Sequence, residues 1–197
     1  MTVSALTDFG DLALMLPLAG VVLLWLVGAR ARAGAGWWIV AVLLCAGGTA
    51  VLKIYFFACS LSPELRSPSG HASLSTLVYG ALTLLIALEA QGWRRLLVLG
   101  LGLALIVAIA DSRILLGAHS VIEVAFGLAI GFMALGVFAY GYLRHPPARA
   151  RLPTLLLAVV LSAIVLHGSN LRAEEILHAL SGYLQVGGLA CASTRAS

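Results

Sequence analysis

The chain has 197 residues, enough for one domain, and is 61% hydrophobic but only 10% charged, with a mean hydropathy of +1.05. Water-soluble domains carry about 25% charged residues and about 45–50% apolar ones, so this composition excludes a soluble core and makes lipid the solvent. The formal net charge of +4 rests on arginine, with Lys53 the sole lysine, set in an apolar stretch.

About 20 apolar residues cross a bilayer core as a helix, and six segments approach that length. The first runs from Phe9 to Gly28, with Pro17 inside it as a kink position. Met1 to Gly10 holds no Lys or Arg and does hold Asp8. A cleavable signal begins with positive charge, so this segment reads as an uncleaved first helix. The second helix is expected over Gly36–Ala58, opened by Trp37 and Trp38 at interface depth. The third is expected over Gly70–Ala90, the fourth from after Arg95 to Ala110, and the fifth over His119–Tyr142. The sixth, Leu152–His167, is short. Trp37, Trp38 and Trp93 read as interface anchors. Gly100, Gly102, Gly127 and Gly131 read as points of close helix packing, the last two at a small-xxx-small spacing.

Charge alternates between the connections. Arg30 and Arg32 follow the first helix, Arg94 and Arg95 the third, and Arg144, Arg149 and Arg151 the fifth. By the positive-inside rule these loops are cytoplasmic. Connections 59–69 and 111–118, and both termini, then face outside. Residues 169–197 form a polar tail, expected to lie on the membrane surface as an amphipathic helix. Cys45 and Cys59 share one predicted helix, roughly 20 Å apart at 1.5 Å per residue. With Cys191 in the tail, they give neither a disulfide framework nor a zinc spacing.

The remaining polar residues gather in the two outside connections and the adjoining helix ends. One cluster holds Lys53, Glu64, Arg66, Ser69 and His71; the other holds Asp111, Ser112, Arg113, His119 and Glu123. Ionisable groups at membrane depth are costly and mark function. Lys and Arg grip phosphate oxygens, and two histidines can divide nucleophile from general acid. Glu123, four positions after His119, is placed to hold the imidazole in one tautomer. Ser69 and Gly70, after Pro68, open a predicted helix whose free amides suit an anion. Glu64 and Asp111 read as capping or pairing groups, and Ser112 as a structural hydroxyl. His145, His167 and His178 read as structural histidines.

Pro68-Ser69-Gly70-His71 resembles the second motif of the type 2 phosphatidic acid phosphatase (PAP2) superfamily, and Ser112-Arg113-x5-His119 resembles its third. The family places an aspartate where this chain has Glu123. Lys53 matches the lysine of the first motif, whose Arg-Pro positions hold Ser60 and Leu61 here; Arg66 is expected to supply the guanidinium instead. The resemblance implies an all-α membrane bundle of about six helices, with residues 1–168 as a PAP2-like phosphatase domain. It implies His119 as nucleophile, His71 as acid and Glu123 as its orienting carboxylate. Lys53, Arg66, Ser69, Gly70 and Arg113 would hold the phosphoryl group, with no metal and no cofactor.

The expected substrate is a lipid phosphate or pyrophosphate at a bacterial inner membrane, with the site on the outer side and no nucleic-acid partner. Undecaprenyl pyrophosphate, phosphatidic acid, phosphatidylglycerol phosphate and lipid A phosphates all qualify. A lipid phosphotransferase using the same histidine, and a non-catalytic membrane binding or transport protein, stand as alternatives. The oligomeric state is left open.

Overall fold

Runs of Leu, Val, Ala and Ile with few polar breaks favour helix, and in hydrocarbon a helix satisfies every backbone group internally. The computed structural model describes residues 3–59, 67–145 and 152–166, and these form helices joined by short turns, with no strand among the described residues. The helices are α1 (Val3–Asp8), α2 (Leu12–Gly28), α3 (Arg32–Val42), α4 (Gly48–Cys59), α5 (Gly70–Glu89), α6 (Trp93–Leu115), α7 (Val121–Arg144) and α8 (Leu152–Leu166). A π-helical turn, Leu43–Gly47, joins α3 to α4 without a break. Four helical runs are long and apolar enough to cross a membrane: Arg32–Phe57, Gly70–Glu89, Trp93–Leu115 and Val121–Arg144. The shorter apolar helices α2 and α8 fall on the first and sixth predicted segments. This is an all-α membrane bundle, and its apolar helices fit an integral membrane protein.

Helix α5 is the axis. It packs on α6, α7 and α2, and its middle is buried on every side, including Ser73, Ser75 and Thr76. Those hydroxyls turn inward onto carbonyls one turn back: Ser75 donates to Ala72 O at 3.3 Å and Thr76 to Ala72 O at 2.6 Å. A polar side chain is thereby satisfied inside an apolar bundle. Two glycines of α7 let that helix close on α5. A Cβ at Gly127 would lie 2.5 Å from Ser69 O, and one at Gly131 would lie 2.5 Å from Ser73 O. The pair therefore serves packing within the bundle. Gly102 likewise faces Thr83, whereas Gly100 faces open space, so the packing expected there is absent.

Two other expectations change. Trp38 is not an interface anchor: it is 1% exposed, donates its indole N–H to Ala19 O at 2.9 Å and packs edge-on against Phe138. A buried indole with a partner is a core residue. The fourth predicted helix ends five residues later than expected, taking Asp111, Ser112 and Arg113 into its last turn. Ser112 Oγ there donates to Ile109 O at 2.6 Å, the structural role expected of it. Pro17 lies inside α2, which continues past it. The tail 169–197, Arg149, Arg151, His167, His178 and Cys191 lie outside the described residues.

Arg30, Arg32, Arg94, Arg95 and Arg144 all fall at one end of the bundle, at the α2–α3, α5–α6 and α7 ends away from the start of α5, while Arg113 lies at the other end in the last turn of α6. The opposite end gathers the starts of α2, α5 and α7 and the close of α6.

Candidate active site

The α6–α7 corner builds the first half of the site. Helix α6 closes in a Schellman arrangement around Gly117, at φ 64°. Gly117 N–H donates to Ile114 O at 2.9 Å and Ala118 N–H to Arg113 O at 3.1 Å. The left-handed conformation is open to glycine without a Cβ clash. The same turn brings His119 N–H onto Arg113 O at 3.2 Å. The spacing Arg113-x5-His119 is thus the length of one helix ending: arginine in the last turn, glycine reversal, histidine folded back onto the arginine's own carbonyl.

Ser120 then caps α7. Its hydroxyl accepts from Glu123 N–H at 3.3 Å, and Glu123 Oε2 accepts from Ser120 N–H at 3.1 Å, a reciprocal capping box. The same Oε2 lies 2.9 Å from His119 Nδ1. A carboxylate only accepts, so Nδ1 carries the ring hydrogen and the lone pair of the neutral imidazole is on Nε2. His119 precedes the helix that was expected to begin with it, so its contact with Glu123 runs through the cap. The extra methylene of glutamate has a use here. A capping box requires Glu or Gln at this position to reach back to the cap amide.

Glu123 also ties down the second half. Its Oε1 accepts from Ser67 N–H at 2.8 Å, and its backbone carbonyl accepts from Ser69 N–H at 3.0 Å. Ser69, fully buried, caps α5 by accepting from Ala72 N–H at 3.4 Å. Gly70 opens the helix. A Cβ there would meet Lys53 Cε at 3.7 Å, so the lysine stem runs from α4 along the N-terminus of α5. The N-terminus of a helix and a lysine beside it form an anion-binding combination. Lys53 is 3% exposed, so it does not snorkel to an open surface.

His71, in the first turn of α5, has Nε2 3.6 Å from Asp11 Oδ2. Arg113 Nη1 donates to Thr7 Oγ1 on α1 at 3.0 Å. Gly10 fits between the elements: a Cβ there would lie 2.7 Å from Ile109 Cγ2 and 3.3 Å from the His71 ring. The N-terminal segment therefore touches both halves.

Burial pushes the His119 imidazole below its ordinary range; the hydrogen bond it donates to Glu123, and that carboxylate's charge, oppose this, and the charges of Lys53 and Arg113 add to the lowering. The ring is thus biased toward its neutral, nucleophilic form, with two cations close enough to act on it electrostatically.

Of the residues singled out from sequence, Lys53, Ser69, Gly70, His71, Arg113, His119 and Glu123 meet at one end of the bundle. Arg66 and Glu64 lie outside the described residues. Asp111 is exposed at the end of α6. Sequence reasoning missed Thr7, Asp11, Ser67 and Ser120. Ser120-x-x-Glu123 before an apolar run was a readable capping signal, as was Asp11 before the first run. Thr7 and Ser67 had no local signal. Among the described residues no group of three or more His, Cys, Asp or Glu side chains is placed to hold a metal ion.

Residues 53–147 match the family model of the PAP2 superfamily. Comparison with curated proteins and with solved structures gave no match. The matched segment runs from Lys53 through both histidine motifs to the end of α7, and the superfamily consists in general of phosphatases. This segment, a little under half of the chain, is what the chain shares with the PAP2 superfamily.

Proposed function

We propose that this protein is a membrane lipid phosphatase that cleaves a lipid phosphate or pyrophosphate through a phosphohistidine on His119. The observation that carries the proposal is the 2.9 Å contact between His119 Nδ1 and Glu123, which puts the lone pair on Nε2 in a ring that burial and two cations keep neutral. In the first step Nε2 forms a bond to phosphorus as the phosphorus–oxygen bond to the leaving group breaks. His71 gives its proton to the departing oxygen. In the second step water attacks phosphorus and returns a proton to His71, and the bond from phosphorus to His119 breaks. Lys53, Arg113 and the Gly70 amide at the start of α5 hold the phosphoryl oxygens and offset the charge that grows on them, while Ser69, its own N–H given to Glu123 O, fixes that helix start. Arg66, in the sequence before α5, is proposed for the same role.

The positive-inside rule assigns the arginine end of the bundle to the cytoplasm. The site then opens to the periplasmic or outer side of a bacterial inner membrane. A substrate whose tail stays in lipid while its phosphate reaches this boundary suits short connections that leave little room for a soluble substrate-binding domain. Undecaprenyl pyrophosphate, phosphatidic acid, phosphatidylglycerol phosphate and lipid A phosphates have that form. Residues 1–168 make up the phosphatase domain, and residues 169–197 a surface tail.

The test is release of labelled phosphate from a panel of these lipids by purified protein in detergent, with His119→Ala as control. Release by the wild type alone supports the reading. Label found in an acceptor lipid means phosphoryl transfer instead, and equal release by both proteins removes His119 as nucleophile. Vanadate, which adopts the five-coordinate geometry of the transition state, is expected to inhibit, and chelators to leave the rate unchanged.

A further inference from the structure

The α1–α2 turn lies outside the family match, yet it touches the site. Asp11 is the N-cap of α2: its Oδ1 accepts from Ala13 N–H at 2.8 Å, which fixes the carboxylate in one orientation. The second oxygen, Oδ2, is the one 3.6 Å from His71 Nε2. The turn itself is anchored on both sides. Tyr79 Oη donates to Phe9 O at 2.8 Å, and Gly10 leaves no space between Ile109 and the His71 ring for a side chain. The Asp11 residue is 9% exposed. A buried, oriented carboxylate in ion-pair range of an imidazole favours the protonated ring and restricts its rotation.

The geometry points to Asp11 as a positioning residue for catalysis: it holds His71 protonated and aimed, so that His71 can deliver its proton to the leaving oxygen. The inference rests on the phosphatase reading above and deepens it. The arrangement mirrors the other histidine, with Asp11 serving the acid as Glu123 serves the nucleophile. The proton travels from His71 to the leaving oxygen as the phosphorus–oxygen bond breaks, and water restores it when the phosphoenzyme is hydrolysed.

A general acid matters in proportion to the basicity of the leaving group. An alkoxide needs the proton; a nitrophenolate does not. A residue that acts through the acid must show the same dependence, whereas loss of structure slows both substrates alike. Asp11→Asn is well suited to the test, because asparagine caps a helix as well as aspartate does but carries no charge. Asp11→Ser also keeps a capping oxygen while removing the reach to His71. The substrates are dodecyl phosphate and a nitrophenyl phosphate bearing the same dodecyl chain, in detergent, with the full-length protein.

The expected result for Asp11→Asn and Asp11→Ser is a loss in kcat on the alkyl ester of about 10- to 100-fold, below the full range of a general acid. On the nitrophenyl ester the change stays within about threefold, and Asp11→Glu recovers part of the alkyl activity. In a His71→Ala background Asp11→Asn adds no further leaving-group dependence, since residues acting as a unit are not additive. Equal losses on the two esters, or none on either, would overturn the inference while leaving the phosphatase reading in place. Should one variant fail to fold, the other decides by the same comparison. A wild type that releases phosphate from neither ester overturns the monoesterase reading, and the role of Asp11 with it.

Discussion

His119 is held by neighbours in sequence, whereas His71 is held from a distance. The carbonyl of Arg113, six positions before His119, takes its amide, and the carboxylate of Glu123, four positions after, takes its ring. The carboxylate beside His71 comes from Asp11, sixty positions earlier and on another helix. The side chain of His119 is 6% exposed and that of His71 22%. A nucleophile has to be aimed and dehydrated before substrate arrives, and a helix ending followed at once by a capped helix start does that with little tertiary help. An acid that serves a departing lipid sits where the product leaves, and its support must come from whatever element closes that side. The two histidines thus differ in how much of the fold each one needs.

The sharpest way to break this comparison is to delete each ring. His119→Ala removes the proposed nucleophile, and turnover is expected to fall by at least about 1,000-fold on every substrate. His71→Ala is expected to cost about 100- to 10,000-fold on alkyl phosphates, and far less where the leaving group is already a weak base. Single-turnover measurement of phosphoenzyme formation separates the two. If His119→Ala still forms a phosphoenzyme, the assignment of the two roles is reversed.

Glu123 comes next. Glu123→Gln leaves one acceptor oxygen where Ser67 N–H, Ser120 N–H and His119 Nδ1 now share two. An amide NH2 must then face one of these donors. Turnover is expected to fall on the order of 100-fold as the His119 tautomer is lost. Stability should drop by about 1 kcal/mol, the usual size of a weakened cap, readable as a lower thermal midpoint in detergent. A variant with unchanged kcat would mean that the carboxylate serves the cap alone.

These residues also show what a sequence can carry. Long apolar runs announce the membrane helices, because lipid leaves a chain little choice of structure. The charge segregation of Arg30, Arg94 and Arg144 marks the end of the bundle away from the candidate site. His119, Arg113 and Glu123 were legible because their geometry is written in a span of eleven residues. Asp11 was half legible: its capping role follows from its place before an apolar run, but its meeting with His71 depends on how α2 packs on α5. Thr7 and Arg113, 106 positions apart, had no signal at all. Trp38 was misread because an aromatic near a helix start looks the same in sequence whether it points to the interface or to Phe138.

A smaller effect concerns pH. The His119 ring is held below its ordinary range, first by burial and then in part by Lys53 and Arg113. The attacking form is neutral, so the acid limb of kcat/KM is expected below pH 6.5, the model-compound value. Lys53→Met removes one cation, which lets His119 protonate more readily, so the limb moves to higher pH even as phosphate binding weakens. Stability has the matching sign. Between the lowered folded value and the ordinary unfolded one, the unfolded chain binds more protons, so stability rises with pH across that window. It is lowest below the folded value and free of this penalty above pH 6.5. An acid limb that stays in place in Lys53→Met would separate the lysine charge from the nucleophile.

The least disruptive change tests the helix ending itself. Two helices close by the same Schellman pattern. In α2 the left-handed position is Arg30, at φ 57°, with Ala31 N–H donating to Leu26 O at 2.9 Å; in α6 it is Gly117. A side chain in that conformation costs about 1 kcal/mol, and the arginine end of the bundle carries that cost with no catalytic residue beside it. Gly117→Ala imposes a similar cost at the site end, and there the turn also sets where His119 falls against Arg113. Both Gly117→Ala and the reciprocal Arg30→Gly should shift stability by about 1 kcal/mol in opposite directions. Only Gly117→Ala should lower kcat, by severalfold, because only that turn fixes a reacting ring. Equal kcat in the two variants would show that the corner has more tolerance than its hydrogen bonds imply, and that Glu123 alone aims the imidazole.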